Sequence, residues 1–243
     1  MRRENEKGRA NPMAMSAEER QQMLLTQPVE KIIPKMALPT ICSMLITSIY
    51  NMADTYFVGT LGESAQAATG ILFTVQAIMQ GLAFMLGHGA GTHVSRALAD
   101  RDADKATMYI STSFFTGIGL GLVIGVLGLA FLRPLVHFLG STDTIAPYAM
   151  DYGFWVFLAA PTIICSLILN NGLRYEGKAF YAMIGLTAGG LLNILGDYIL
   201  VMKLGMGVYG AGLATAASQL VSFVILLIMY LKLSLIHISE PTR

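Results

Sequence analysis

The sequence predicts an all-α membrane protein, a bundle of six transmembrane helices, and two observations carry that prediction. Hydrophobic residues make up 54% of the 243 residues and charged residues only 13%, with a mean hydropathy of +0.60, whereas soluble domains are usually about a quarter charged. The apolar residues also fall into six long runs that contain no Asp, Glu, Lys or Arg. At about 20 residues per span these runs fill the chain, so no large soluble domain fits beside them.

Each run is near or above the length that crosses the hydrocarbon core, and lipid favours helices because every backbone group needs an internal partner. We place the spans at residues 36–58, 65–92, 106–132, 147–172, 180–202 and 209–231. The first and fifth spans continue past an aspartate, since apolar residues follow both Asp54 and Asp197. Both acids are therefore predicted to lie inside the membrane.

The positive charges predict which side of the bundle faces the cytoplasm. With the N-terminus inside, thirteen Lys and Arg residues lie on that side and two, Arg133 and Lys203, on the other. The positive-inside rule then puts both ends of the bundle in the cytoplasm. Residues 1–31 hold eleven charged side chains and no short apolar core, which predicts a cytoplasmic tail rather than a cleavable signal. The net charge of +1 indicates no nucleic-acid surface.

Helix-bending and helix-packing signals lie within the predicted spans. Pro39 in the first span removes a backbone hydrogen bond and bends or weakens the helix. Two interpretations stay open: a static kink, or a hinge whose bend depends on what Asp54 holds. Glycines at intervals of four in the third and fifth spans, including Gly121 and Gly189, predict close helix contacts.

The two intramembrane acids are predicted to belong to one cluster of oxygen-bearing side chains. A buried aspartate costs about 2.5–3.5 kcal/mol on insertion scales, so it needs a polar partner, water or a proton. At 1.5 Å per residue, Asp54 lies ~27 Å and Asp197 ~25 Å along their helices from the cytoplasmic side. Asn193 shares a helix face with Asp197. Thr215 lies at nearly the same depth on the neighbouring sixth span.

This ligand set is suited to a small cation. Oxygen ligands favour a hard ion such as Na⁺, while two carboxylates crowded in a low dielectric can retain a proton. The residues alone leave H⁺ and Na⁺ open. In either case the chemistry is that of a transporter coupled to an ion gradient, with no catalytic residue and no organic cofactor expected.

Several motifs resemble the multidrug and toxic compound extrusion (MATE) family, and within it the MepA-like bacterial branch. They lie in the expected order on the expected spans. The motifs are Leu38-Pro39-Thr40 and Ser48 to Gly59 in the first span, the turn Arg174-x-Glu-Gly177, Asn193-x-x-x-Asp197 in the fifth span, and Gly207 to Thr215 at the start of the sixth.

The resemblance implies one lobe of a twelve-helix transporter of the bacterial inner membrane. Such proteins exchange cationic amphiphilic, drug-like compounds for inward H⁺ or Na⁺. Pro39 matches the proline at which the first helix bends. The residues that match the cation or proton site of the N-terminal lobe are Asp54, Asn193, Asp197, Thr215 and the backbone carbonyl of Ala211.

The length departs from the family pattern, because such transporters have about twice as many residues. We therefore expect a transmembrane N-terminal lobe over 32–232, with the C-terminal lobe of the same chain missing as a partner. The tail Leu233 to Arg243 resembles the translation of a sequencing-library adapter and is excluded from the fold prediction.

Three alternatives remain open. A lipid-linked oligosaccharide flippase of the same superfamily would line its cavity with cationic side chains, and the spans contain almost no Lys or Arg. An intramembrane aspartyl enzyme would use Asp54 and Asp197 as its acid pair, and only Gly196-Asp197 faintly matches its motif. A membrane module without transport activity is the third alternative.

Overall fold

The apolar runs fold into helices that cross back and forth through one bundle. The computed structural model describes residues 28–232, and within that range it contains helices and no strand. The predicted tail Leu233–Arg243 and residues 1–27 of the predicted N-terminal tail lie outside the described residues. In chain order the helices are α1 (Val29–Gly59), α2 (Glu63–Ala99), α3 (Ala103–Ala130), α4 (Leu132–Phe138), α5 (Ala146–Leu158), α6 (Ala160–Tyr175), α7 (Ala179–Asp197) and α8 (Gly207–Tyr230).

Four stretches are long and apolar enough to cross a membrane within the described chain: α2, α3, α8, and α7 together with the π-helical turn Tyr198–Lys203 that continues it. The pair α5 and α6 forms a fifth if it is taken as one span. Helix α1 has 31 residues but does not belong to this group, although its region holds the first predicted span. The prediction of an all-α membrane fold is confirmed.

The fourth predicted span differs from the structure, because 147–172 is two helices rather than one. The axes of α5 and α6 differ by 52° across a break at Ala159. Pro161 lies at the start of α6, where its missing N–H costs no helical hydrogen bond. The proline therefore marks a helix start, which a search for charge-free runs does not detect.

Helix α6 is the centre of the bundle and packs against α2, α3, α7 and α8. The predicted close contacts of the small residues are present. A Cβ atom added to Gly121 of α3 would lie 2.5 Å from the Cα of Pro161, and one on Gly189 of α7 would lie 2.8 Å from the Cβ of Ser222. Only glycine allows backbones to approach this closely.

The basic residues gather at the end of the bundle formed by the turns α2–α3 and α6–α7, which we call the basic end. Arg96, Arg101 and Lys105 flank the first of these turns, and Arg174 and Lys178 flank the second.

At the start of α3, the Asp102 carboxylate accepts a hydrogen bond from the backbone N–H of Lys105 at 3.0 Å. Hydrogen bonds from Lys105 lower the pKa of Asp102.

Candidate cation-binding site

The four predicted ligand side chains are all buried in the interior of the bundle. Asp54 on α1 is 4% exposed, and Asn193 and Asp197 on α7 are 3% and 0% exposed. Thr215 on α8 is 9% exposed. Helix α7 packs along both α1 and α8, which is how residues far apart in sequence reach one region.

A chain of hydrogen bonds connects Asn193, Thr215 and Asp54 across four helices, and Asp197 is not part of it. The amide nitrogen of Asn193 donates to the Thr215 hydroxyl at 3.2 Å, and that hydroxyl lies 3.5 Å from the Tyr152 hydroxyl. Tyr152 on α5 donates in turn to Oδ2 of Asp54 at 3.2 Å. Because the Tyr152 proton points to Asp54, the Thr215 hydroxyl is left to donate to Tyr152. All the donors in this chain therefore point towards the Asp54 carboxylate.

Tyr152 and Gln76 are the members of the network that the sequence analysis missed. Tyr152 is only 1% exposed, and the Gln76 amide donates to its hydroxyl at 3.5 Å. The available signal was a pair of glutamines, Gln76 and Gln80, one turn apart within an otherwise apolar span. A search for charged residues passes over such amides, although a polar side chain in a lipid-embedded helix also needs a partner.

Four carboxylate and amide oxygens of the cluster have no hydrogen-bond partner among the described residues. They are Oδ1 of Asp54, Oδ1 of Asn193 and both carboxylate oxygens of Asp197, and all four are buried. A buried carboxylate without compensation is strongly unfavourable. The cluster therefore fits a bound cation or proton that would neutralise it.

A small cavity lies next to Asp54 and Asn193, and Asp197 is not among the residues that line it. Its volume is about 30 Å³, and its walls include Asp54, Asn193, Thr215, Tyr152 and Gln76. That space is sufficient for a water molecule, and a Na⁺ ion is of comparable size. Within residues 28–232 no three His, Cys, Asp or Glu side chains come together. The donors present are carboxylate, amide and hydroxyl oxygens, the set that hard cations prefer.

The remaining two predicted residues, Ala211 and Pro39, lie outside the hydrogen-bond chain. Ala211 is fully buried on α8, one turn before Thr215. Pro39 lies within α1, which stays helical from Val29 to Gly59. The Ser43 hydroxyl donates to the Pro39 carbonyl at 2.8 Å. Hydroxyl groups that bond back to the preceding turn favour bending of a helix, so the segment before Asp54 combines two features that weaken it.

Comparison of the sequence with known proteins identifies the family of this chain. The MatE family profile matches residues 39–199. The chain belongs to the MatE family. This MATE chain is similar to the multidrug export protein MepA of Staphylococcus aureus strain MRSA252, with 34% identity over 206 residues that cover 84% of this chain and 46% of the relative. MepA of Staphylococcus saprophyticus is 31% identical over 82% of this chain and 44% of its own length.

Solved structures show the same fold. An outward-facing multidrug resistance MATE transporter of the MOP superfamily has a TM-score of 0.80 at 30% identity, covering 86% of this chain and 46% of that one. A MATE crystal structure in a straight conformation has a TM-score of 0.81 at 29% identity, covering 91% and 51%. One in a bent conformation has a TM-score of 0.80 at 30% identity, covering 88% and 47%.

The chain spans about half the length of the curated relatives it matches. The relatives are named as multidrug export proteins and transporters, so the predicted membership of a multidrug efflux family is confirmed. At the level of the family this favours transport over the intramembrane enzyme considered above.

Proposed function

We propose that this chain forms the N-terminal lobe of a multidrug efflux antiporter, in which H⁺ or Na⁺ bound at the acidic cluster drives export. The observation that carries the proposal is the group of four buried oxygens without hydrogen-bond partners on Asp54, Asn193 and Asp197. In an acid pair with a purely structural role, the buried carboxylate oxygens would accept hydrogen bonds from protein donors. Here one Asp54 oxygen is satisfied and the remaining oxygens are free to bind a cation.

The cation site is joined to a helix that can change shape. Asp54 sits on α1, while its donor Tyr152 sits on α5 of the central bundle. A cation that neutralises the cluster changes the attraction between α1 and this bundle, and Pro39 supplies the point at which α1 bends. Such coupling requires the cation to bind the two shapes of α1 with different affinity. Ala211 would contribute its backbone carbonyl to the bound ion.

The same proposal covers the extent of the lobe, its orientation in the membrane and the class of exported compound. Residues 32–232 form the lobe, and the second lobe of the complete transporter faces it across the drug cavity. The basic end lies in the cytoplasm of a bacterial cell by the positive-inside rule. The exported compounds are cationic amphiphiles, as the family resemblance implies, and the scarcity of Lys and Arg in the spans supports this class of substrate. No residue is assigned a catalytic role.

The test is ethidium export by energised cells that produce the full-length protein. Asp54→Asn and Asp197→Asn keep the side-chain size but remove the charge, and we expect each to reduce export at least tenfold at normal membrane levels. Asp151→Asn is the matched control, because this neighbouring acid is exposed and should not matter. Full export by both cluster variants would refute the proposal.

The coupling ion can be identified separately. Everted vesicles are given a sodium gradient with pH clamped, and then a pH gradient without sodium. If export occurs under only one of these gradients, the ion of that gradient is the coupling ion. If Asp54→Asn then abolishes this export, the ion binds at the acidic cluster.

A further inference from the structure

A second internal cavity adjoins the acidic cluster and extends away from it. Its volume is about 240 Å³, and it lies between α1, α2, α6, α7 and α8. Four residues line both this cavity and the small one at the cluster: Tyr50, Gln80, Ile163 and Gln219. The two spaces are therefore adjacent, and these four residues stand at the boundary between them.

The far wall of the larger cavity holds Arg174. This residue lies in the last turn of α6, at the basic end of the bundle. Its Nε atom is buried and has no hydrogen-bond partner among the described residues. A buried N–H group without a protein acceptor needs water, which a cavity of this size can hold. The volume has room for several water molecules.

The side chains between Arg174 and the cluster are also polar. Gln80 and Gln219 stand at the boundary between the two cavities, and Thr47, Ser48 and Asn170 line the larger one. Amide and hydroxyl oxygens can replace part of the hydration shell of a passing cation. Apolar residues such as Phe84 and Leu167 complete the wall.

We propose that these two cavities form a hydrated exit path for the coupling cation, from the acidic cluster to the basic end, with Arg174 as an electrostatic barrier at its mouth. This inference rests on the proposed function. A fixed positive charge at the mouth lowers the local concentration of cations. Because such a barrier slows passage in both directions, Arg174 limits leakage of cations between the cytoplasm and the cluster along the path past Gln80 and Gln219.

The path can be tested by thiol labelling of the full-length protein. In a background with Cys42→Ala, Cys165→Ala and any further cysteine replaced, Gln80→Cys places a thiol at the boundary of the cavities. Ile78→Cys is the matched control, since this residue of the same helix is 58% exposed on the outside of the lobe. The probe is a membrane-impermeant methanethiosulfonate that carries a trimethylammonium group, applied to inside-out and right-side-out vesicles.

We expect Gln80→Cys to be labelled from the cytoplasmic side and Ile78→Cys to stay unlabelled over the same time. Gln219→Cys, on the opposite wall, should be labelled in the same way. It keeps the test valid if Gln80→Cys does not insert into the membrane. Labelling of both boundary positions only from the outside, or from neither side in correctly inserted protein, would overturn the path.

The electrostatic barrier at Arg174 is tested by comparing the labelling rates of cationic and anionic thiol reagents. Arg174→Gln should speed labelling of Gln80→Cys by the cationic reagent roughly fivefold, while a sulfonate-bearing reagent gains nothing. Arg174→Lys should restore the slow rate. Equal changes for both reagents would contradict an electrostatic barrier.

This outcome is distinguishable from failure of the proposed function. If export still depends on Asp54 but the boundary thiols are inaccessible from the cytoplasm, the exit path is wrong and the antiporter proposal stands. If the export rate of Asp54→Asn equals that of the unmodified protein, the antiporter proposal fails whatever the labelling shows.

Discussion

Helix α1 and the central helices α2, α3 and α6 are built in opposite ways. Helix α6 buries eleven of its residues, and the glycines of α3 let it approach closely. On α1, Ser43, Asp54 and Val58 are the buried members among the side chains that the structure describes, while large apolar residues such as Met52 and Tyr56 are exposed. We call α2, α3 and α6, which bury many residues, the frame; α1 buries few of its described residues and carries one of the two acids.

The contrast explains where a cation could have an effect. A tightly packed interior responds to strain as a unit, so neutralising a charge within it moves little. Helix α1 has fewer contacts to lose and contains Pro39. Near the cluster the Tyr152–Asp54 hydrogen bond joins α1 to α5, and α5 packs against α2 of the frame. Loose packing on one side of the site and rigid packing on the other is the arrangement a switch requires.

The largest expected effect is on the frame. Gly121→Val places a side chain where a Cβ atom would already lie 2.5 Å from the Pro161 backbone. Overpacking of this kind costs at least about 1–3 kcal/mol, and here we expect loss of most folded protein. Gly119→Val, where a Cβ meets nothing within 4 Å, is the control. The measurement is the monodisperse fraction in detergent, and equal yields would show that the frame is not rigid.

The next effect concerns the connection between the two regions. Tyr152→Phe removes the hydroxyl that donates to Asp54, leaving a buried carboxylate oxygen unpaired at a cost of about 1–3 kcal/mol. We expect roughly tenfold slower ethidium export. Tyr148→Phe, one turn earlier on α5 and 41% exposed, should leave export unchanged. Similar rates for the two variants would remove Tyr152 from the switch.

Pro39→Ala tests the hinge directly. Alanine restores the backbone donor and favours a straight helix, so we expect export to fall several-fold while thermal stability stays equal or rises. Pro34→Ala, near the start of α1, is the matched control and should have little effect. Export that is unaffected by Pro39→Ala would favour the static kink.

The smallest effect is expected on the surface of α1. Leu45→Ala removes a side chain that is 58% exposed, and we expect a change in unfolding free energy within about 0.5 kcal/mol. Leu72→Ala on α2 removes a fully buried one and should cost about 2–5 kcal/mol. Thermal unfolding in one detergent compares them. Equal losses would mean that α1 is packed as firmly as the frame.

The sequence was sufficient to predict the fold class and the helices that carry the polar cluster, because lipid makes buried charge rare and helix length regular. Asp54, Asn193, Asp197 and Thr215 were predicted from their depth and helix face along the spans, and the structure buries all four. Tyr152 was not, since it lies on a helix whose depth depends on the 52° break before α6. The cavities were beyond prediction too, because their shape depends on helix contacts that no single span encodes.

Counting the bound cation tests the central claim most directly. Purified full-length protein is titrated with ²²Na⁺ at fixed pH, and proton uptake on acidification is measured without sodium. We predict that Asp54→Asn binds one cation fewer than the unmodified protein in one of these two experiments, whereas Asp151→Asn binds the same number. Identical counts for all three proteins in both experiments would contradict a cation site at the Asp54–Asp197 cluster.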